Sequence, residues 1–389
     1  MPCSEQSHPV GRFTAVPLSF EAVDSVYTFN HIVPRLGATY DLTGDSKTVL
    51  KGNWGRFYFN PGVGLADTVN PNTADQYSDY VWNDLNADLV YQPGEEGALQ
   101  TRFGGVANAE IDPDLRNSYM DEASAFVERV LAGNVGLRVG YVWRKDYDGW
   151  QQVNVLRPFE AFNVPVTVID PVTGDGIPLF NLDNTSRGSR QVAQNVDGYE
   201  GTYKTFEVAA NKRYSHRWSM NASYSYTWTK EYGSNYFGNR TGTAVSNFSL
   251  FGNFPTNPNE TTFNEFTNWN AKIVATVDAG WGVRVTPLLR AQSGAPYGRL
   301  INANLNYGAQ RVLVEPLGAR RQETVAVVDF RAEKQITLDR ARFGLFVDVF
   351  NLLNANTAVN INWVSGTTFE APTTVLAPRI AKFGVKFDW

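Results

Sequence analysis

One segment narrows what this chain can fold into more than any other. From Trp218 to Lys230, Met220, Ala222, Tyr224, Tyr226 and Trp228 alternate with Ser219, Asn221, Ser223, Ser225, Thr227 and Thr229. Successive side chains of an extended strand point to opposite faces, so one face here is wholly apolar and the other wholly small and polar. The pattern recurs where Val135, Leu137, Val139, Tyr141 and Trp143 oppose Gly136, Arg138, Gly140 and Arg144, with Val142 the one apolar intruder. Trp281, Val283, Val285, Pro287, Leu289 and Ala291 oppose Gly282, Arg284, Thr286, Arg290 and Gln292. Phe343, Leu345, Val347 and Val349 oppose Arg342, Gly344 and Asp348, and at the end Phe383, Val385, Phe387 and Trp389 oppose Lys382, Gly384, Lys386 and Asp388.

Charged residues on the second face decide the environment. A soluble sandwich buries its apolar face in a dry core and does not also carry Trp and Tyr on its outside, so a wet interior with an apolar exterior means lipid outside. Trp218 and Trp228 mark the ends of one apolar face, roughly 33 Å apart at ~3.3 Å per residue. A tilt of ~40° projects this onto about 25 Å, the height of the lipid-facing band of a membrane barrel between its aromatic girdles.

Composition agrees. With 43% hydrophobic and 13% aromatic residues among 389, the chain has the apolar material for a large core or a membrane surface, and it is not a disordered tail. A mean hydropathy of -0.30, without any run near the ~18 apolar residues a spanning helix needs, excludes a helical membrane protein and leaves a barrel open. The net charge of -5 provides no basic field for phosphate backbones, so nucleic acid is not an expected partner. Cys3 is the single cysteine, which excludes a disulfide framework and a Cys-based zinc site, and Met1-Pro2 offers no secretory or lipoprotein signal before it.

About eleven strands are predicted, near 34–43, 47–58, 115–130, 133–148, 201–213, 217–231, 266–277, 281–293, 325–338, 341–351 and 378–389. Their connections alternate between tight and long. Thr43-Gly44-Asp45-Ser46, Leu131-Ala132-Gly133-Asn134, Tyr214-Ser215-His216, Asp278-Ala279-Gly280 and Asp339-Arg340 are tight, and the others run to tens of residues. This is the asymmetry of outer-membrane barrels, with short turns at the periplasm and long loops outside, and it puts Trp389 on the periplasmic side. The expected fold class is all-β, a transmembrane antiparallel β-barrel, with residues 1–33 an irregular arm and 34–389 the barrel portion. Bacterial single-chain barrels close with even strand numbers, so eleven strands read as part of a larger barrel whose beginning this chain has lost.

The residues resemble the TonB-dependent outer-membrane receptors, and within them the Oar-like group. The resemblance is carried by Pro34-Arg35-Leu36-Gly37-Ala38-Thr39-Tyr40-Asp41 with Thr48 to Tyr58, and by Ile111-Asp112-Pro113-Asp114-Leu115-Arg116 leading to Glu122. Phe346 to Asn354, ending Phe350-Asn351-Leu352-Leu353-Asn354, and the last strand from Pro378-Arg379 to Trp389 complete it. It implies a barrel of about twenty-two strands, of which this chain is the C-terminal half, and a terminal aromatic strand read by the barrel-assembly machinery. Family members also carry an N-terminal plug that contacts TonB, and Oar-like ones a small carboxypeptidase-regulatory-like domain; neither is visible in this sequence.

The sharpest local motif is Asp84-Leu85-Asn86-Ala87-Asp88-Leu89-Val90 with Glu95 at the twelfth place. Asp84, Asn86, Asp88, the Val90 carbonyl and Glu95 match the oxygen ligands of a calcium loop, although Leu89 stands where such loops use glycine and the segment has no helical flanks. The alternative is an acidic loop whose Asx side chains form turns. No cofactor is otherwise required.

An enzyme is not expected. His8, His31 and His216 are the only histidines, and the chain has no nucleophile elbow, Walker loop, dinucleotide fingerprint or His-x-x-x-His pair. Inward carboxylates Glu207, Asp329, Glu333 and Asp348 are read as lumen ion pairs with Arg138, Arg144, Arg284, Arg290, Arg331 and Arg342. Tyr77, Tyr80, Trp82, Trp150, Tyr232, Tyr236 and Trp363 are loop aromatics that either stack on a planar ligand or sugar ring or pack on one another.

The expected function is therefore the barrel portion of a TonB-dependent transporter in a Gram-negative outer membrane, with long loops capturing an unidentified ligand and TonB reached only through a plug. The rival is a non-transporting barrel acting as adhesin or structural element. A soluble glycan-binding β-protein would need the apolar faces inside.

Overall fold

The computed structural model describes residues 26–62, 64–67, 69, 77–103, 109–188, 190–232, 263–338 and 341–388, with two short paired strands at 6–8 and 18–20. Eleven strands form one antiparallel sheet in chain order: β1 (Arg35–Asp41), β2 (Thr48–Tyr58), β3 (Tyr119–Leu131), β4 (Val135–Tyr147), β5 (Gly201–Ser215) and β6 (Trp218–Tyr232) are followed by β7 (Phe263–Gly280), β8 (Val283–Gln292), β9 (Val325–Leu338), β10 (Ala341–Phe350) and β11 (Ile380–Asp388). All eleven overlap the strand ranges predicted from the sequence. Among the described residues β1 and β11 pair on one side only, and no helix is long and apolar enough to cross a membrane.

Register carries the two faces across the whole sheet. Val139 pairs with Val208, Val208 with Tyr224 and Tyr224 with Ala271 on the apolar face. On the other face Arg144 pairs with Tyr203, Tyr203 with Thr229 and Thr229 with Phe266. Because side-chain period is two, a one-residue slip anywhere would exchange these faces, so a continuous ladder fixes them together.

The apolar strand face is uncovered. Tyr141, Phe206, Tyr224, Trp228, Ile273, Leu345 and Phe383 are all exposed, Phe383 to 79%. The buried apolar clusters, by contrast, are built from loop segments. A water-soluble fold inverts that distribution, whereas a lipid-facing band requires it.

The tight turns use left-handed backbone. Gly133 and Asn134 sit at φ 73° and 61°, and His216 and Arg217 at 51° and 68°, the paired positive values of a two-residue hairpin turn. The sequence places Trp281 at the start of a strand; in the structure it lies in the turn before β8, at φ 50° and 92% exposed. Its ring stands at the turn end of the sheet, where interfacial tryptophans anchor barrels. The Asp339-Arg340 turn and Trp389 fall outside the described residues.

Two glycines on the inward face are explained by the ladder. Phe126 pairs with Gly140 and Phe346 with Gly384, and a Cβ at Gly140 or Gly384 would stand 1.9 or 2.1 Å from those rings. Each ring lies across the bare backbone with a guanidinium above it, Arg138 at 3.7 Å and Arg331 at 4.1 Å.

Candidate functional site

The inward face is lined by paired charges. Arg290 reaches Asp329 at 2.7 Å, and Arg331 reaches Asp348 at 3.4 Å and Glu333 at 3.6 Å. Lys51 and Arg138 share Glu128, at 2.7 and 4.0 Å. The lumen carboxylates Asp329, Glu333 and Asp348 thus sit in ion pairs, as the sequence predicts, whereas Glu207 makes no ion pair among the described residues.

The long loops contain structure that alternation did not reveal. Strand pairs at Val164–Ile169 with Gly176–Asn181, Leu300–Leu305 with Gly308–Leu313, and Ala358–Ile361 with Pro372–Val375 rise from different connections. Leu179 packs with Ile301, Ala303, Leu305 and Val312, and Tyr297 with Leu300, Leu317 and Trp363, so the loops share small cores of their own.

A charged network ties this loop layer together. Arg299 reaches Asp170 at 2.6 Å and Glu315 at 3.2 Å, and its side chain and that of Asp170 are 7% and 1% exposed. Arg320 bridges Glu315 at 2.6 Å and Glu370 at 3.1 Å, and the Tyr297 hydroxyl donates to Glu370 at 2.7 Å. The Arg299 guanidinium, aided by the N–H groups of Val172 and Thr173, holds the Asp170 carboxyl down from 3.8 to about 2. Arg320, joined by Arg299, holds Glu315 below the usual carboxylate range, and burial beside Glu370 pushes the Tyr297 phenol up to about 12. None of these residues is marked in the sequence, since Asp170 and Arg299 are 129 positions apart.

Between the loop layer and the inward face of β2 to β8 lies a cavity of about 730 Å³. Its lining includes Arg144, Tyr203, Thr227, Phe266, Asn270 and Gln292 from the strands, and Tyr199, Pro296, Leu317 and Trp363 from the loops. Alternation assigned Arg144, Thr227 and Gln292 to the inward face without showing that loops would roof them.

The Asp84 loop folds on its own hydrogen bonds. Asp84 accepts from the N–H groups of Asp88 at 3.2 Å and Leu89 at 3.0 Å, Asn86 from Asp88 at 3.2 Å, and Asp88 from Val90 at 2.7 Å. The Asn86 and Asp88 bonds, each to the N–H two residues on, are Asx turns, and Asp84 reaches across the loop to the fourth and fifth residues after it. Ala87 and Leu89 both take φ 58°, so the bend at the sixth place is made by leucine. Glu95 is 4% exposed and accepts from Trp82 Nε1 at 3.0 Å, Leu85 N at 3.2 Å and Gln92 N at 2.9 Å, closing the stem of the loop. Among the described residues no group of three His, Cys, Asp or Glu side chains is gathered to hold a metal.

The aromatic candidates separate by environment. Trp150 packs against Leu65, Leu115 and Ala193 in a buried cluster. Trp82 is 45% exposed while tied to Glu95, and Tyr80 is 46% exposed. Trp363 stacks on Tyr297, with centroids 5.7 Å apart, at the cavity wall. Tyr236 and the Tyr77 and Tyr232 side chains fall outside what is described.

A membrane-facing exterior, a charged lumen wall and a roof of loops define an outer-membrane barrel protein. The family model for the outer membrane beta barrel domain matches residues 23–313, and the chain belongs to that family. It lies in the outer membrane of a Gram-negative bacterium. No curated protein matches the chain. Among solved structures, the outer membrane transporter YddB from Escherichia coli superposes with a TM-score of 0.50 at 14% identity, over 95% of this chain and 41% of that one. The siderophore receptor PiuA from Acinetobacter baumannii gives 0.45 at 12%, over 98% and 38%, and the ferripyoverdine receptor of the outer membrane of Pseudomonas aeruginosa gives 0.44 at 12%, over 95% and 33%. The chain thus spans about two fifths or less of the length of these three solved chains.

Proposed function

We propose that this chain is the C-terminal part of the barrel of an Oar-like TonB-dependent transporter, moving a ligand across the outer membrane after capture by the loop layer. The roofed cavity on the lumen wall is the observation that carries the reading, because a ligand route needs a polar wall open to capture from the loop side. Strand parity supports a longer barrel. Ten antiparallel pairings leave β1 and β11 running the same way, so closure with antiparallel seams needs an odd number of further strands. Two copies of this chain inserted in the same sense would meet through parallel seams. The terminal strand, finishing at Trp389, is proposed as the segment the assembly machinery reads.

An epitope in the Thr43–Ser46 turn tests this in native outer membranes. The tagged protein is expected to run as a heat-modifiable barrel much longer than 389 residues and to cross-link to TonB, and cells are expected to lose ligand uptake when TonB is deleted. A tagged species of this length, with surface binding indifferent to TonB, would instead support the adhesin.

Calcium remains a subordinate proposal. The left-handed residues at the fourth and sixth places of the Asp84 loop favour it, with Asp84, Asn86, Asp88 and the Val90 carbonyl as ligands and Glu95 closing the stem. Millimolar calcium is expected to raise the melting temperature, and Asp84→Asn with Asp88→Asn to abolish that increment. Identical melting with and without calcium would leave the loop a hydrogen-bonded turn.

A further inference from the structure

Lys204 interrupts an aromatic row on the lipid-facing side of the sheet. Across the ladder it pairs with Trp143 of β4 and Trp228 of β6, and it is exposed. It lies four residues from Val208, the middle of β5, on the side of the loops. That is roughly 13 Å along a strand at ~3.3 Å per residue, or about 10 Å in height at a tilt of ~40°. Lys204 therefore stands at the upper edge of the hydrocarbon band, where a lysine stem lies along apolar surface and lifts its ammonium to the headgroups.

The row above it carries charges that are matched. Arg56 reaches Asp121 at 2.8 Å, Lys145 reaches Glu200 at 2.7 Å and Lys230 reaches Glu265 at 2.7 Å. Lys204 makes no ion pair among the described residues, and the residues directly opposite it are tryptophans. Lys145 and Lys230 are both cross-strand partners of Thr202, two residues from Lys204 along β5. Three lysine stems thus surround one point, each one strand spacing of about 5 Å from β5 or on it. Against them stand the two carboxylates Glu200 and Glu265, which leaves one positive charge unmet. The pair of Lys230 and Glu265 is exposed on both sides, at 55% and 65%, and such pairs hold weakly enough to exchange partners. Below the lysines, Tyr141, Phe206 and Trp228 are exposed on the same face. A water-soluble anion would meet the charge and leave these rings bare, whereas an amphiphile with an anionic head meets both.

We propose that the outer surface of β4 to β6 is a seat for a phosphate-bearing lipid of the leaflet on the loop side, its phosphate held by Lys204 between Lys145 and Lys230 and its acyl chains lying on Tyr141, Phe206 and Trp228. Phosphate oxygens accept charge-assisted hydrogen bonds from ammonium groups. The seat faces lipid rather than the lumen, so its occupancy is independent of ligand passage and of TonB.

The full protein in a neutral detergent tests it by displacement of a fluorescent, phosphorylated lipid A. Unlabelled lipid A is expected to compete, and the dephosphorylated glycolipid, phosphatidylcholine and inorganic phosphate to fail at the same concentration. Lys204→Gln is expected to weaken lipid A binding about fivefold, and Lys204→Arg, which keeps the charge, to bind as the wild type does. Lys272→Gln is the control. Lys272 is exposed on the lumen face of β7, opposite Ser223 and Arg290, so its loss removes the same charge from the other side of the wall and is expected to leave binding unchanged. Undiminished binding by Lys204→Gln would make Lys204 a hydrated interfacial lysine, and equal weakening by Lys272→Gln would mean that only net charge is sensed. Competition by the dephosphorylated glycolipid or phosphatidylcholine would assign the binding to the aromatic wall alone, and competition by inorganic phosphate would assign it to a free anion. Each of these four results overturns the proposal, and none of them bears on TonB-dependent uptake.

Discussion

Val208→Arg is expected to destabilise the membrane-embedded barrel by about 2–4 kcal/mol, the cost of a cation on a lipid-facing strand near the bilayer midplane. Val208 lies midway along β5, paired with Val139 on one side and Tyr224 on the other, in the middle of the apolar face. The control is one pairing step away on the opposite face. Ser225→Arg places the same charge in the lumen beside the carboxylate of Glu207, and is expected to change stability by less than about 1 kcal/mol. Urea unfolding of the full protein from lipid vesicles, followed by the loss of heat-modifiable migration, compares the two. Equal losses would mean the faces are not in different solvents and would sink the membrane assignment of the sheet.

The second large effect belongs to the loop layer. Arg299→Ala leaves Asp170 buried at 1% exposure without its guanidinium, and breaking such a pair from one side costs about 3–5 kcal/mol. The loss is expected to be local. Hydrogen exchange should accelerate in the Leu300–Leu305 and Gly308–Leu313 strands while the eleven-stranded sheet stays protected. An Arg299→Met, Asp170→Leu double variant removes both charges and is expected to be milder than either single change; a double variant as damaging as Arg299→Ala would show that packing, not charge, holds the layer. Acid acts on the same pair. The folded Asp170 carboxyl titrates at about 2 against an ordinary 3.8, so its contribution is full above the unfolded value and disappears as the pH falls through the folded one. Loop protection is expected to drop between about pH 4 and pH 2 in the wild type, with the Asp170-dependent part of that drop missing from the double variant.

Much of this barrel wall is legible in the sequence because strand alternation is local. Tyr224, Tyr226 and Trp228 need only their immediate neighbours to be assigned a face, and a Gly133-Asn134 pair announces its hairpin turn through the backbone those residues tolerate. Trp281 shows the limit of this reading. Its apolar side chain continues the period of the strand that follows, but the left-handed backbone there belongs to the turn. The candidate calcium loop was legible as a pattern of oxygens, while the pattern did not show that Glu95 is occupied by three N–H groups.

The order of side chains along each strand by itself determined the two faces, the lipid-facing exterior, the charged lumen and the division into tight turns and long loops, because each depends on a period of two and on nearby turn residues. Only the tertiary structure decided that Phe126 covers Gly140, that Arg299 finds Asp170, and that Trp363 joins Phe266 and Tyr203 around one cavity. Those contacts form between segments far apart in the chain, where no local period or propensity records which loop will meet which. They are selected by burial, charge and fit once the ladder has brought the loop ends to one side of the sheet.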